Sequence, residues 1–133
     1  MRIDGNFVIE KLEYLQKGGR CSTAAMLGAN LLKLRPEIVI RDGVMSVGKK
    51  YRGGFEKVLF TYLDDKLSHA DEYEHDWIAV NHTIMDPDLL KRLLDYIDSK
   101  HIFSRIIEYP ASAAISCHCG PNTFGSFCLK KER

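Results

Sequence analysis

The chain has 133 residues, 45% of them hydrophobic and 28% charged, and a formal net charge of +1. Those values exclude wholesale disorder, and the near-neutral charge lacks the basic footprint of a nucleic-acid-binding surface. No apolar run reaches the roughly 20 residues of a spanning helix.

A chain of this length supports one core, so a single domain over residues 1–133 is expected. The opening Met1-Arg2-Ile3-Asp4-Gly5-Asn6 is too polar for a signal-peptide core, which points to the cytoplasm. The four cysteines are then expected as reduced thiols.

In chain order, Val8, Leu12 and Leu15, widened by Phe7 and Ile9, predict a first helix over residues 7–17 that stops at Gly18-Gly19. A second helix follows the Ser22-Thr23 cap, runs through Ala24, Ala25, Met26 and Leu27, and closes before Pro36. Its small residues suit either close helix-to-sheet packing or a slender apolar ligand lying alongside.

Two β-rich runs, residues 37–41 and 44–47, flank Asp42-Gly43, a strong hairpin signal. Beyond Arg52 and Gly53-Gly54, the stripe Phe55, Val58, Leu59, Tyr62 and Leu63 predicts a helix. Arg52 suits a solvated strand end or an anionic partner.

The strand Trp77–Val80 leads to Asn81-His82-Thr83. His82 therefore stands either as a site residue at a strand's carboxyl end or as a histidine satisfied at that terminus. Asp86-Pro87 caps a helix carrying Leu90, Leu93, Leu94 and Ile97. A strand over residues 102–109, a short helix over 111–116, a turn over 117–125 and a last strand over 124–129 complete the chain. The expected order is α-α-β-β-α-β-α-β-α-β. This is an α/β (α+β) two-layer sandwich with a mixed, largely antiparallel sheet.

The chemistry-bearing residues favour binding over catalysis. Cys117-His118-Cys119 has one residue between its thiols, whereas structural zinc sites use roughly two to four and need a second ligand pair. No phosphate loop is present, and no carboxylate pair is marked by spacing. A binding module is the leading reading, with no catalytic residue and no metal. The alternatives are a small Cys/His metal- or thiol-dependent enzyme and a structural dimerisation domain.

Residues 12–20 (Leu-Glu-Tyr-Leu-Gln-Lys-Gly-Gly-Arg), the small-residue helix ending Leu-Leu-Lys-Leu-Arg-Pro, Asp42-Gly43, Arg52-Gly53, the strand ending at His82, and His118-Cys119-Gly120-Pro121 resemble the carboxyl-terminal half of the DegV family. The resemblance implies binding of a fatty acid, with no other cofactor, and its presentation to a fatty acid kinase of the dihydroxyacetone-kinase type. It places Arg20 and Arg52 on the kinase-facing surface and His118, in a His-Thr-Gly-Pro-Gly-like turn, near the lipid carboxylate.

On this reading Ser22, Ala24, Met26, Leu27, His82, Ile115, Gly120, Pro121 and Phe124 join Arg20 and His118 at the ligand. Cys119 stands where the family has threonine, and Asn122 where it has the last glycine; asparagine tolerates that backbone. The family's amino-terminal half, which grips the carboxylate, has no counterpart before Asn6. A carboxyl-terminal fragment with an uncovered, self-associating apolar face is therefore expected.

Overall fold

A computed structural model describes residues 2–17 and 34–132. In these residues six strands form one sheet of order β3-β2-β1-β6-β4-β5. They are β1 (Ile3–Val8), β2 (Leu34–Arg41), β3 (Val44–Arg52), β4 (Tyr73–His82), β5 (Arg105–Pro110) and β6 (Phe124–Lys130). Every pairing is antiparallel except β4 with β5, which run parallel. The helices are α1 (Glu13–Lys17), α2 (Phe55–Leu67), α3 (Pro87–Ser99) and α4 (Ala113–Cys119). The mixed, largely antiparallel sheet with packed helices agrees with the expected fold class.

The hairpin forms as its turn chemistry dictates: Asp42 and Gly43 both have positive φ, 51° and 78°, the requirement of a type I′ turn. The Asp86 side chain accepts from the Asp88 amide at 3.0 Å and starts α3 with Pro87 at its first position. The second predicted helix and its residues Ser22, Ala24, Met26 and Leu27 lie outside the described residues, as does Arg20.

The first predicted helix requires correction. Phe7 and Val8 belong to β1, and only Glu13–Lys17 is helical. β1 lies between β2 and β6, and Asn6, polar in a buried strand, is satisfied there. The Tyr62 hydroxyl contacts the Asn6 carbonyl at 3.0 Å, the Asn6 side-chain oxygen, and Ser126 Oγ at 2.8 Å. The polarity of Asn6 serves this internal network, which a linear reading of hydropathy hides.

α2 and α3 cover one face of the sheet. Val8, Leu59, Tyr62, Leu63, Ile78, Val80, Leu93, Ile97 and Phe124 form the core there, each at most 2% exposed. Full burial of aliphatic side chains such as Leu59 and Leu93 contributes about 1.5–3 kcal/mol apiece.

The other face is different. Directly opposed residues form two rows that cross all six strands, Val47-Ile38-Phe7-Gly125-Asn81-Tyr109 and Met45-Ile40-Gly5-Phe127-Ala79-Ile107. Among the described residues, a smaller cluster of Ile9, Leu12, Leu15 and Cys119, with Phe7 and Val47 against it, closes the end of this face beside the first row. Met45, Ile107 and Tyr109 remain exposed.

Candidate functional site

α4 begins where the Ser112 hydroxyl accepts from the Ile115 amide at 3.3 Å, and it ends where the Gly120 amide donates to the Ser116 carbonyl at 2.9 Å. His118 and Cys119 therefore belong to the last helical turn, whereas the sequence suggested a loop. The chain then reverses at Gly120, whose φ is +79°. A Cβ there would lie 2.3 Å from the Tyr14 ring, so the close approach of α1 also requires glycine.

Two threonines fasten this reversal. Thr83 Oγ1 donates to the Gly120 carbonyl at 2.6 Å and accepts from the Thr123 amide at 3.0 Å. Thr123 Oγ1 reaches the Cys119 and Gly120 carbonyls, both at 3.1 Å. A hydroxyl is thus supplied to the turn from position 123 where Cys119 has none. Asn122 adopts φ 63°, its amide donates to the Ile84 carbonyl at 2.8 Å, and its side chain donates to Glu10 at 3.3 Å. Asn122 thus takes the left-handed conformation that asparagine tolerates.

Beside the reversal is an apolar cavity of about 240 Å³. Phe7, Gly125, Phe127 and Ile40 form its floor on the open sheet face, with Met45 beyond them on β3; Leu15 of α1 and Ile115 of α4 form walls. Among the described residues its polar lining includes Asn81, Thr83, Thr123 and His118. Asn81, Thr83 and Thr123 have partners in the protein, Asn81 through a 3.2 Å bond to the Tyr109 carbonyl. His118 differs: its Nδ1 is buried and makes no hydrogen bond. A buried polar atom without a partner carries a desolvation cost of about 1–3 kcal/mol.

Of the residues expected at a ligand, Ile115 and His118 line this cavity, and Gly120 and Pro121 shape the turn behind it. Two expectations are corrected. Phe124 faces the α2–α3 core, 0% exposed, with its ring edge-to-face to Tyr62 at 6.3 Å. His82 shares that side of the sheet and is satisfied by Thr83 O at 2.8 Å through Nδ1 and by Glu108 through Nε2. Arg52 is exposed at the end of β3, the same end of the sheet as the His118 turn.

Phe7, Asn81, Thr83, Thr123 and Phe127 were missed. Their signal is the period-two alternation of β1, β4 and β6, which identifies a common face only once the strand register is known.

The thiols are poorly disposed for joint chemistry. Cys117 is exposed and Cys119 is buried, as positions two apart on a helix present different faces. Burial pushes the Cys119 thiol up and the Cys128 thiol to about 11. Among the described residues no group of three His, Cys, Asp or Glu side chains is arranged to hold a metal ion, and no helix is long and apolar enough to cross a membrane.

A mixed sheet helix-packed on one face, with an apolar cavity beside the Gly120 reversal on the other, defines an α/β domain with a candidate ligand site. The family model described as "Uncharacterised protein, DegV family" matches residues 1–131, and the chain belongs to the DegV family. It is similar to a DegV domain-containing protein of Clostridium acetobutylicum, 35% identical over 119 residues, which cover 90% of this chain and 41% of that one. It is also similar to a fatty acid-binding protein of Thermotoga maritima, 30% identical over 131 residues, which cover 96% of this chain and 44% of that one.

In fold it resembles the crystal structure of a fatty acid binding DegV family protein from Streptococcus agalactiae. The TM-score is 0.78 at 24% identity, over 98% of this chain and 46% of the other. The chain thus spans less than half the length of the relatives it matches.

Proposed function

We propose that this chain forms one wall of a fatty-acid site and acts by holding its ligand, without catalysing a reaction on it. The carrying observation is the apolar cavity lined in part by His118, whose buried Nδ1 lacks a partner. An acyl chain would lie across Phe7, Gly125 and Phe127, each buried methylene contributing about 0.8 kcal/mol. The carboxylate would lie at the His118 turn, where an imidazole N–H can donate to it. The fatty acid is the ligand, and no other cofactor is required.

The similarity to the Thermotoga maritima fatty acid-binding protein supports this reading. A second wall would come from the amino-terminal half implied by the family resemblance, meeting the exposed Met45, Ile107 and Tyr109. The carrier would present its ligand to a fatty acid kinase in the cytoplasm, with Arg20 and Arg52 on the facing surface. The exposed apolar face also favours self-association, which sedimentation velocity over a concentration series measures.

Native mass spectrometry of the 133-residue chain mixed with palmitic and oleic acids tests the binding reading. One fatty-acid adduct is expected, lost in Ile115→Glu, which places a carboxylate at the cavity from a half-exposed position tolerant of charge. Absence of any adduct on the unaltered chain overturns the proposal.

A further inference from the structure

Two glycines on the cavity face oppose two phenylalanines across the β1–β6 ladder, Gly5 with Phe127 and Gly125 with Phe7. The pairs look symmetric and are not. A Cβ built at Gly125 would meet Phe7 Cβ at 2.7 Å and the Asn6 carbonyl oxygen at 2.9 Å. Backbone is in the way there, so Gly125 is required by the approach of the strands themselves.

At Gly5 the three nearest atoms all belong to the Phe127 ring, with Cδ1 and Cε1 each 2.5 Å from the added carbon. Only the end of a side chain opposes substitution. The Phe127 ring lies down over the bare backbone of Gly5, and in that position it is part of the cavity floor.

Phe127 belongs to the second row, one strand repeat further from the His118 turn than Phe7 and Gly125. Residues two apart along a strand are separated by about 6.6 Å. A chain anchored at His118 would therefore cross the first row and meet Phe127 as it reaches the second. Ile40, opposite Gly5 in that row, and Met45 beyond it on β3 continue the apolar surface.

We propose that the Gly5–Phe127 pair determines acyl-chain length: the glycine lets the ring lie flat, and the flat ring keeps the far end of the cavity open. The inference rests on the fatty-acid reading and identifies what sets its specificity. With alanine at position 5 the ring is displaced from the sheet into the cavity and the site shortens. With alanine at position 127 the floor deepens and the site lengthens.

The test incubates the unaltered chain, Gly5→Ala, Phe127→Ala and the double variant with an equimolar mixture of saturated fatty acids from decanoic to stearic. Bound acids are read by native mass spectrometry, with melting temperatures recorded alongside. Removing room for two methylenes is expected to lower the bound long-to-short ratio in Gly5→Ala by about tenfold. Phe127→Ala is expected to raise it, so the proposal remains open to refutation even if Gly5→Ala fails to fold.

In the double variant the alanine at position 5 no longer meets a ring, and the profile should match that of Phe127→Ala alone. Profiles identical to the unaltered chain in both single variants overturn this inference alone. So does a Gly5→Ala effect that persists without the ring. An unaltered chain that binds none of the acids overturns the fatty-acid reading and this inference with it.

Discussion

The Thr83 hydroxyl, 3% exposed at residue level, donates to the Gly120 carbonyl at 2.6 Å while accepting from the Thr123 amide at 3.0 Å. One side chain at the end of β4 thus holds both limbs of the reversal that follows His118. Replacing it with the near-isosteric valine leaves the Thr123 amide buried and unsatisfied. Thr83→Val is expected to cost about 1–3 kcal/mol in urea unfolding. Thr83→Ser should recover most of that loss, because the hydroxyl and not the methyl group carries the contact.

Gly120 and Tyr14 give a second test. Alanine at position 120 would have to adopt φ +79° and place its Cβ 2.3 Å from the Tyr14 ring. With ψ 176° this backbone conformation is one that glycine almost alone adopts and costs about 1–3 kcal/mol by itself, and displacement of the ring adds to it. Gly120→Ala should lower the unfolding midpoint, and Tyr14→Ala combined with it should relieve the steric part and leave the conformational part. Strict additivity in the double-mutant cycle would show that the ring is not the obstacle.

These contacts also show what a linear reading can supply. The Asp42-Gly43 hairpin, the α2 stripe from Phe55 to Leu63 and the Asp86-Pro87 cap each depend on near neighbours and were legible directly. β1 was not, because Gly5 and Asn6 are intelligible only beside Phe127 and Tyr62, more than 50 positions away.

Phe124 illustrates the same limit within the site. Apolar residues occupy both faces of β6, so hydropathy could not show that Phe124 turns to the core and Phe127 to the cavity. His118 was legible through its Gly-Pro sequel, but its placement on the last turn of α4 depends on the Ser112 cap and on the Gly120 reversal.

The cysteines give a prediction that separates binding from thiol chemistry. Cys117 is exposed, whereas burial raises the Cys119 and Cys128 thiols and withholds them from solvent. The thiolate is the reacting species, and access controls its encounter with reagent. Under native conditions iodoacetamide should therefore alkylate Cys117 well before Cys119 or Cys128, as peptide mass spectrometry would report. Rapid modification of Cys119 in the folded chain would restore the case for a reactive thiol beside His118.

On the face opposite the cavity, the Lys66 ammonium, 3% exposed at its side chain, lies 2.8 Å from Asp4 Oδ2, and the Tyr73 hydroxyl donates to the same oxygen at 2.5 Å. Burial raises the Asp4 carboxyl, but the Lys66 charge and the hydrogen bonds from Lys66 and Tyr73 outweigh it, so its pKa lies below the ordinary 3.8. Stability from this group is fully present above its unfolded value and is lost as pH falls through its folded one. Asp65, held below 3.8 by Lys49 and Tyr51 against the same burial effect, acts in the same direction.

Glu37 nearby opposes them: burial raises it above 4.5, so its ionised form costs stability at neutral pH and protonation removes that cost. Acidification from neutral should therefore first stabilise the fold slightly as Glu37 protonates, then destabilise it below 3.8 as Asp4 and Asp65 protonate. Urea midpoints measured across this range should lose the early gain in Glu37→Gln and part of the later loss in Asp4→Asn. Lys66→Met, which leaves Asp4 without its cation, should cost about 3 kcal/mol near neutral pH. Adding Asp4→Asn to Lys66→Met should return part of that, because the uncompensated carboxylate, more than the missing attraction, carries the penalty.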